Sequence, residues 1–308
     1  MLTSVSPTSS PSTELWPELR LGDWSTTRDT LHLWTQIVGH IRMVLSPALN
    51  HWWHVTLYVT SRGLTTSPIP YAGHTFEIHF DFLDHRLVIT TSHNEWRTLK
   101  LEPKSVSDFY QELMGLLREL RIQVKIHPKP DEVTDPIPFA EDQVHHSYDP
   151  EYARRFWRVL VATDSVLKEF RGRFLGKCSP VHFYWGSFDL CCTRFSGRRA
   201  SERAGADAVT REAYSHEVIS IGFWSGSGAV NDAALYAYAA PEPRGFRSAR
   251  IIPAYSSYNE ALGEYILMYE DLRRAPDPKQ ALLDFAQSTY EAGATLGAWN
   301  RAELERQL

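Results

Sequence analysis

The chain has few cysteines and none of the spacings that bind zinc. Only three cysteines occur among 308 residues, and two of them, Cys191 and Cys192, are neighbours. No C-x-x-C pair is present, which argues against a thiolate zinc site. Neighbouring residues of a strand point to opposite faces, so a bridge between Cys191 and Cys192 would be strained. Reduced cysteines are typical of a reducing compartment, and the sequence predicts a cytoplasmic protein.

Other absences limit the partners. No apolar run approaches the roughly 20 residues that a membrane-spanning helix needs. The formal net charge of −5 argues against nucleic acid as the main partner, because phosphate binding needs a basic surface. No phosphate loop, dinucleotide fingerprint or G-x-S-x-G motif occurs. We therefore expect a small-molecule ligand, no nucleic acid and no membrane.

The composition is that of a globular protein, with 43% hydrophobic and 22% charged residues. Residues 1–13 are rich in Ser, Thr and Pro and are predicted to form a disordered tail. Prolines crowd the stretch 128–149, which predicts a linker. The predicted organisation is therefore a first half over 14–127, the linker, and a second half over 150–308.

The two halves follow the same order of elements. Each has a helix, a strand that begins at a histidine, His54 or His182, and a strand with a glutamate, Glu77 or Glu217. Each then ends on a helix with a D-F-x-Q motif. The sequence predicts an α+β fold of two similar halves produced by internal duplication. Each half would be an antiparallel sheet with helices on one face, and a cleft would lie where the halves meet.

Local signals predict individual elements. Helices are expected over 27–45 and 106–119, the second with Ser105 in a capping position before Asp108. Asp149 and Asp277, each followed by proline, are expected to begin two further helices. Strands are expected over 53–60, 122–126 and 181–193, among others.

Two carboxylates are predicted on apolar strand faces. Strand alternation places Asp189 with Val181, Phe183 and Trp185, and it places Glu217 with Ile219, Ile221 and Phe223. Burial without a partner raises the pKa of a carboxyl group, which suits acid-base chemistry. Glu217 with His182 is the predicted acid-base pair, and Asp189 and His216 are further candidates.

A basic loop supplies the candidate anchor for an anionic substrate, Arg194 or Arg198, at the end of the His182 strand. Aromatic side chains gather on the same strands and predict an aromatic-walled pocket. The candidate ligand-binding residues are Arg194, Arg198, Trp185, Tyr214, Trp224 and Tyr238, together with His54 and Glu77, the first-half counterparts of His182 and Glu217.

Three functions stay open on these residues. The first is an enzyme acting on a small molecule, by an unspecified reaction, at an acid-base site of the second half near the interface of the halves. The second is a non-catalytic binding module, which predicts Asp189 and Glu217 in closed salt bridges without an open cavity. The third is a metal-dependent enzyme with His182, Glu217 and Glu264 or His216 as ligands, although no specific motif implies a metal or other cofactor.

Several specific strings carry a family resemblance. They are LHLWTQIVG at residue 31, NHWWHV at residue 50, GKCSPVHF at residue 176 and YSHEV at residue 214. The chain resembles a bacterial family annotated only as a domain of unknown function, over nearly its whole length after the tail. The resemblance implies one full-length module and carries no catalytic residues.

Overall fold

The computed structural model describes residues 14–202, 205–227 and 230–307. The predicted tail over 1–13 lies outside the described residues. The helices are α1 (Leu21–Leu45), α2 (Val106–Glu119), α3 (Pro150–Gly172), α4 (Ala208–Ala213), α5 (Tyr269–Arg273), α6 (Pro278–Leu296) and α7 (Arg301–Leu304). The strands are β1 (Tyr58–Val59), β2 (Gly63–Thr65), β3 (Ile69–Tyr71), β4 (His74–Asp81), β5 (Arg86–Thr91), β6 (Trp96–Lys100), β7 (His182–Tyr184), β8 (Asp189–Arg199), β9 (His216–Trp224), β10 (Ala234–Ala240), β11 (Ser257–Asn259) and β12 (Glu264–Met268).

These elements form an α+β fold with two six-stranded antiparallel sheets, as predicted. The first sheet has the order β1-β2-β4-β5-β6 with β3 paired to β4, and the second has the order β11-β12-β10-β9-β8-β7. Each sheet thus has five strands paired in chain order, β1-β2-β4-β5-β6 and β7-β8-β9-β10-β12, with one further strand, β3 or β11, paired to one of them. Glu77 and Glu217 both lie on the third strand of these five, which is consistent with a duplication; the duplication itself and the domain boundaries stay predictions.

Three helices begin at the capping residues that the sequence predicted. Ser105 accepts a hydrogen bond from the Asp108 amide, and Asp149 accepts from Glu151 and Tyr152 at the start of α3. Asp277 caps α6 in the same way. Each cap satisfies amide groups that the first turn of a helix leaves without a partner. Among the described helices, none is long and apolar enough to span a membrane.

One hydrophobic core runs through both halves. On the first sheet, Phe80 stacks on Phe109 of α2, which in turn stacks on Trp34 of α1. On the second sheet, Leu190, Ile221 and their neighbours on the same face are buried against α3 and α6. We call this the helix face of the second sheet. The opposite side, called the cleft face, carries the candidate site.

Main-chain hydrogen bonds join the two sheets at one point. The Leu57 amide donates to the Phe183 carbonyl at 2.9 Å, and the Phe183 amide donates to the Leu57 carbonyl at 2.8 Å. Trp185 reinforces the junction, because its indole nitrogen donates to the Val55 carbonyl at 2.7 Å. The halves are thus held edge to edge as well as through their shared core.

The structure corrects several local predictions. Helix α1 begins at Leu21 rather than at residue 27, and only Tyr58–Val59 of the predicted strand 53–60 is a strand. The predicted strand 122–126 is irregular, and its apolar side chains are buried by packing rather than by sheet pairing. The predicted strand 181–193 is interrupted by a turn over 185–188, with Phe188 at a φ of 58°.

Candidate ligand-binding site

The turn after β7 decides which residues face the cleft. Asp189 pairs directly with Tyr184, and Cys191 pairs with His182, so these four side chains share the cleft face. The prediction that Asp189 lies with Val181, Phe183 and Trp185 is therefore wrong, because the turn shifts the alternation by one residue.

Asp189 is a buried carboxylate held by two hydroxyl groups. Ser187 donates to its Oδ1 at 2.6 Å, and the Tyr236 hydroxyl donates a short hydrogen bond to its Oδ2. Burial raises the pKa of Asp189, and the two donors partly offset this effect. No ion pair reaches Asp189 from the described residues. It is thus an acidic group with hydrogen bonds but without a neighbouring cation.

Tyr236 reaches Asp189 because Gly222 lies between them. Tyr236 is on β10, Gly222 is on β9 and Asp189 is on β8. A Cβ at Gly222 would lie 2.4 Å from Cζ of Tyr236, so the phenol ring crosses β9 over a residue without a side chain. Glycine at this position permits the close approach that the hydrogen bond needs.

A cavity of about 260 Å³ lies on the cleft face. Its floor is the second sheet, through Cys191, Thr193, Ser220 and Tyr238, and its roof is α4. Its side wall comes from the first half, through the turn that carries Trp52 and Trp53. The cavity therefore lies between the halves, where the sequence predicted a cleft.

The turn from the first half is tied to α4 of the second. The His51 amide donates to a carboxylate oxygen of Glu212 at 3.1 Å, and the His51 Nδ1 donates to the Glu212 carbonyl at 3.0 Å. This tautomer leaves Nε2 as an acceptor for the Lys177 ammonium at 2.6 Å. Burial lowers the pKa of His51, and the charge of Lys177 lowers it further.

Glu132 closes one end of the cavity. It belongs to an exposed turn, but its carboxylate is turned inward and lies 2.8 Å from where a Cβ on Gly186 would be. The turn is fixed to α1 by the Gln36 side chain. Its Nε2 donates to the Asp131 carbonyl, and its Oε1 accepts from the Asp131 main-chain amide. Burial, followed by the charges of Asp189 and Asp131, raises the pKa of Glu132. Glu132 itself is exposed, and within the described part of the chain its carboxylate has neither an ion pair nor a hydrogen bond.

A second cavity adjoins the first. Tyr214 and Tyr238 line both cavities, and their hydroxyls are hydrogen-bonded at 2.8 Å. Glu264 lines the second cavity, and burial together with the charge of Asp189 raises its pKa to about 7. A carboxyl group with this pKa exchanges protons near neutral pH.

The predicted pair of His182 and Glu217 is not brought together. His182 lies on the cleft face, fully buried among the rings of Trp53, Tyr58 and Tyr184, and neither ring nitrogen has a hydrogen-bond partner within the described residues. Burial and the charge of Arg42 lower its pKa to about 3. Glu217 lies on the helix face and lines a separate groove of about 90 Å³.

The two predicted arginine anchors face away from the cavity. Arg198 binds Glu217 at 2.7 Å and donates to the carbonyls of Gly297 and Ala298 at the end of α6. Arg194 is buried on the helix face among Phe170, Phe174 and Tyr290. An anion clamp built from Arg194 and Arg198 is therefore not assembled on the cavity.

The other predicted residues are spread over the molecule. Tyr214 and Tyr238 line the cavity, and the His216 ring lies 5.8 Å from that of His51 at its edge. Trp185 packs on α1 at Gly39, and Trp224 belongs to a separate apolar cluster.

In the first half, His54 is buried beside Trp52 and accepts a hydrogen bond from the Leu49 amide. Glu77 accepts a hydrogen bond from Thr65 on the first sheet, away from the cavity. Neither His54 nor Glu77 lines the cavity.

The proposed metal ligands do not converge. Over residues 14–202, 205–227 and 230–307, no group of three or more His, Cys, Asp or Glu side chains is placed to hold a metal ion. His182 and Glu217 lie on opposite faces of the sheet, and Glu264 lines the second cavity.

Comparison with known proteins identifies the family. A family model described as "Family of unknown function (DUF5996)" matches residues 16–306. The chain belongs to this family. No curated protein and no solved structure matches the DUF5996 chain.

Proposed function

We propose that this protein binds a small organic cation, an amine or quaternary ammonium compound, in the cavity between its halves. The observation that carries the proposal is Glu132, a residue of an exposed turn whose side chain lines the cavity and makes no ion pair or hydrogen bond with the described residues. The proposal replaces the anionic substrate expected from the sequence.

The charges at the Glu132 end of the cavity favour a cation, whereas the Lys177 ammonium lies beside His51 elsewhere on the wall. Glu132 lies near Asp189, which also has no ion pair within the described residues. Burial and like charge destabilise an ionised carboxylate and so raise its pKa. A cation bound beside the carboxylate stabilises the ionised form, and this interaction favours binding of the cation. An anionic ligand would add to the repulsion at this end of the cavity.

The cavity wall is aromatic and already accommodates an ammonium group. Trp52, Trp53, Tyr184, Phe195 and Tyr238 line it. The Lys177 ammonium lies 5.5 Å from the ring centre of Trp53 and 5.2 Å from that of Phe195. A ring face attracts a cation by about 0.5–2 kcal/mol, depending on exposure. The remaining rings offer the same attraction to a ligand.

A titration with matched probes tests the proposal. Benzylamine and tetramethylammonium are compared with benzyl alcohol by isothermal titration calorimetry and by the fluorescence of the cavity tryptophans. We expect the amine to bind at least about tenfold more tightly than the alcohol of the same shape. Glu132→Gln is expected to remove most of this difference, because it keeps the size of the side chain and removes its charge.

Glu102→Gln is the matched control, because Glu102 is exposed and lies outside the cavity. Its affinity for benzylamine should equal that of the wild type. Equal binding of benzylamine and benzyl alcohol, or an unchanged preference in Glu132→Gln, would show that the cavity does not select cations.

A second function, acid-base catalysis on the bound molecule, is favoured by Glu264. Its pKa of about 7 provides both protonation states at neutral pH, and its cavity is separated from the first by Tyr214 and Tyr238. Each ligand found in the titration is therefore incubated with the protein and followed by mass spectrometry. If the wild type converts a ligand and Glu264→Gln binds that ligand without converting it, the result supports catalysis by Glu264. If the wild type binds ligands but converts none of them, the protein is a binding module.

A further inference from the structure

Two cysteines lie close together on the helix face, Cys178 in the segment before β7 and Cys192 on β8. The Sγ atoms of Cys178 and Cys192 are 3.6 Å apart, and both thiols are reduced. Cys178 forms an antiparallel β-bridge with Arg194 of β8. Cys192 lies two residues before Arg194 on β8, and its side chain is on the same face. Cys191 points to the opposite face of the sheet, into the cavity.

Arg194 places a buried positive charge beside this pair. Its side chain is 1% exposed, and no carboxylate lies within ion-pair distance among the described residues. Its guanidinium is 3.4 Å from the ring centre of Phe170 and 4.2 Å from that of Tyr290. A buried cation is costly unless negative charge compensates it. A thiolate at Cys178 provides that charge.

We infer that Cys178 and Cys192 form a redox-active dithiol that exchanges with low-molecular-weight disulfides. The assignment of roles follows from the surroundings. Cys178 is partly exposed and Cys192 is buried, so a disulfide reaches Cys178 first. The hydrogen bond from Cys192 lowers the pKa of Cys178, burial opposes this effect, and the charges of Arg194 and Arg171 lower the pKa further. Cys178 is therefore the attacking thiolate and Cys192 the resolving thiol.

The reaction has two steps. The Cys178 thiolate attacks one sulfur of a disulfide RSSR, which forms a Cys178–S–S–R bond and releases RS⁻. The Cys192 thiol then loses its proton and attacks the Cys178 sulfur, which forms the Cys178–Cys192 bond and releases a second RS⁻. Counted from the dithiol, the protein loses two electrons and two protons, one when Cys178 ionises and one from Cys192, and these protons convert the two RS⁻ into two RSH. The two sulfur atoms must approach from 3.6 Å to about 2 Å.

The test exposes the native full-length protein to mixtures of glutathione and glutathione disulfide. Free thiols are trapped by alkylation at low pH, and peptides are mapped by mass spectrometry without reduction. We expect a peptide linked through Cys178 and Cys192, with Cys191 alkylated. Added dithiothreitol should remove the link completely.

Variants separate the two roles. Cys192→Ser should accumulate a glutathione adduct on Cys178, because the resolving thiol is missing. Cys191→Ser is the matched control, and it should form the link as fast as the wild type. Three results from the wild-type protein would overturn the inference, and none of them depends on a variant folding: no link, a link through Cys191, or a stable glutathione adduct on Cys178.

Discussion

The Tyr236 hydroxyl donates a hydrogen bond to Asp189 from two strands away, across Gly222. A buried carboxylate is thereby held in place by a tyrosine whose ring occupies the space of an absent side chain. Both residues belong to the cleft face, and Tyr184, the strand partner of Asp189, lines the cavity. The geometry of this end of the site therefore depends on a glycine that touches no ligand.

Gly222→Ala should destabilise the protein. The new Cβ would lie 2.4 Å from the Tyr236 ring and 2.6 Å from the Leu190 carbonyl, so the ring must move and the hydrogen bond to Asp189 is lost. We expect a loss of about 2–4 kcal/mol in the free energy of unfolding, measured by urea denaturation. Gly115→Ala in α2 is the control, because its Cβ has only the Arg118 guanidinium nearby, at 3.8 Å. That variant should be as stable as the wild type or more so.

Glu264 should make the protein less stable as the pH rises toward neutrality. Its pKa is about 7 in the folded protein against 4.5 for the free group, so the folded state binds the proton more tightly. Its contribution is favourable at acid pH and is lost between about pH 4.5 and about pH 7. Because Glu264 is only half-buried, we expect a loss of about 2 kcal/mol. Urea unfolding at about pH 5 and about pH 8 should show this loss in the wild type and not in Glu264→Gln; equal pH profiles would contradict it.

His182 should have the opposite pH dependence. Its pKa is about 3 in the folded protein against 6.5 for the free group, so the unfolded state takes up the proton first as the pH falls. The stability is lost from about pH 6.5 down to about pH 3, by up to about 5 kcal/mol.

His182→Leu should remove this part of the acid sensitivity. It should also leave stability at neutral pH unchanged or higher, because two ring nitrogens without partners disappear from the core. A large loss of stability at neutral pH would show that the imidazole makes a contact that the leucine cannot replace.

The Arg198–Glu217 pair should contribute little to stability and nothing to the cavity. The Arg198 side chain is 48% exposed, and exposed pairs contribute about 1 kcal/mol or less. A double-mutant cycle with Arg198→Ala and Glu217→Ala, followed by urea denaturation, measures this coupling. Glu217→Ala should also leave the affinity for benzylamine unchanged; a weakened affinity would connect the two faces of the sheet.

Signals that act over a few residues predicted much of the fold. The helix over 106–119 has the predicted bounds, and the caps at Asp149 and Asp277 lie where expected. Strand β4 alternates as its sequence does, with Phe76 and Ile78 buried and Glu77 between them half-buried. Caps and alternation depend on neighbouring residues, so a single sequence contains them.

The site was harder to predict because it depends on pairing between distant segments. The turn after Tyr184 reverses the face of Asp189, and a strand irregularity between Phe195 and Arg199 sets where Arg198 meets Glu217. Glu132 was missed because it lies in the proline-rich stretch, where no periodicity indicates an inward side chain. His51 and Lys177 were missed for the same kind of reason, since their contact at 2.6 Å joins residues 126 positions apart. The sequence did predict a cleft between the halves and an aromatic wall that includes Tyr214 and Tyr238.

The paired hydrogen bonds between Leu57 and Phe183 also provide a way to measure how readily the two halves separate. Both amides are engaged only while the two sheets stay edge to edge. Their protons can exchange with deuterated solvent only when that edge opens, so their exchange rates report the free energy of parting the halves, separately from global unfolding. A ligand that contacts both the Trp53 turn and the second sheet would slow these two amides together, and so would reveal its binding without any label on the cavity itself.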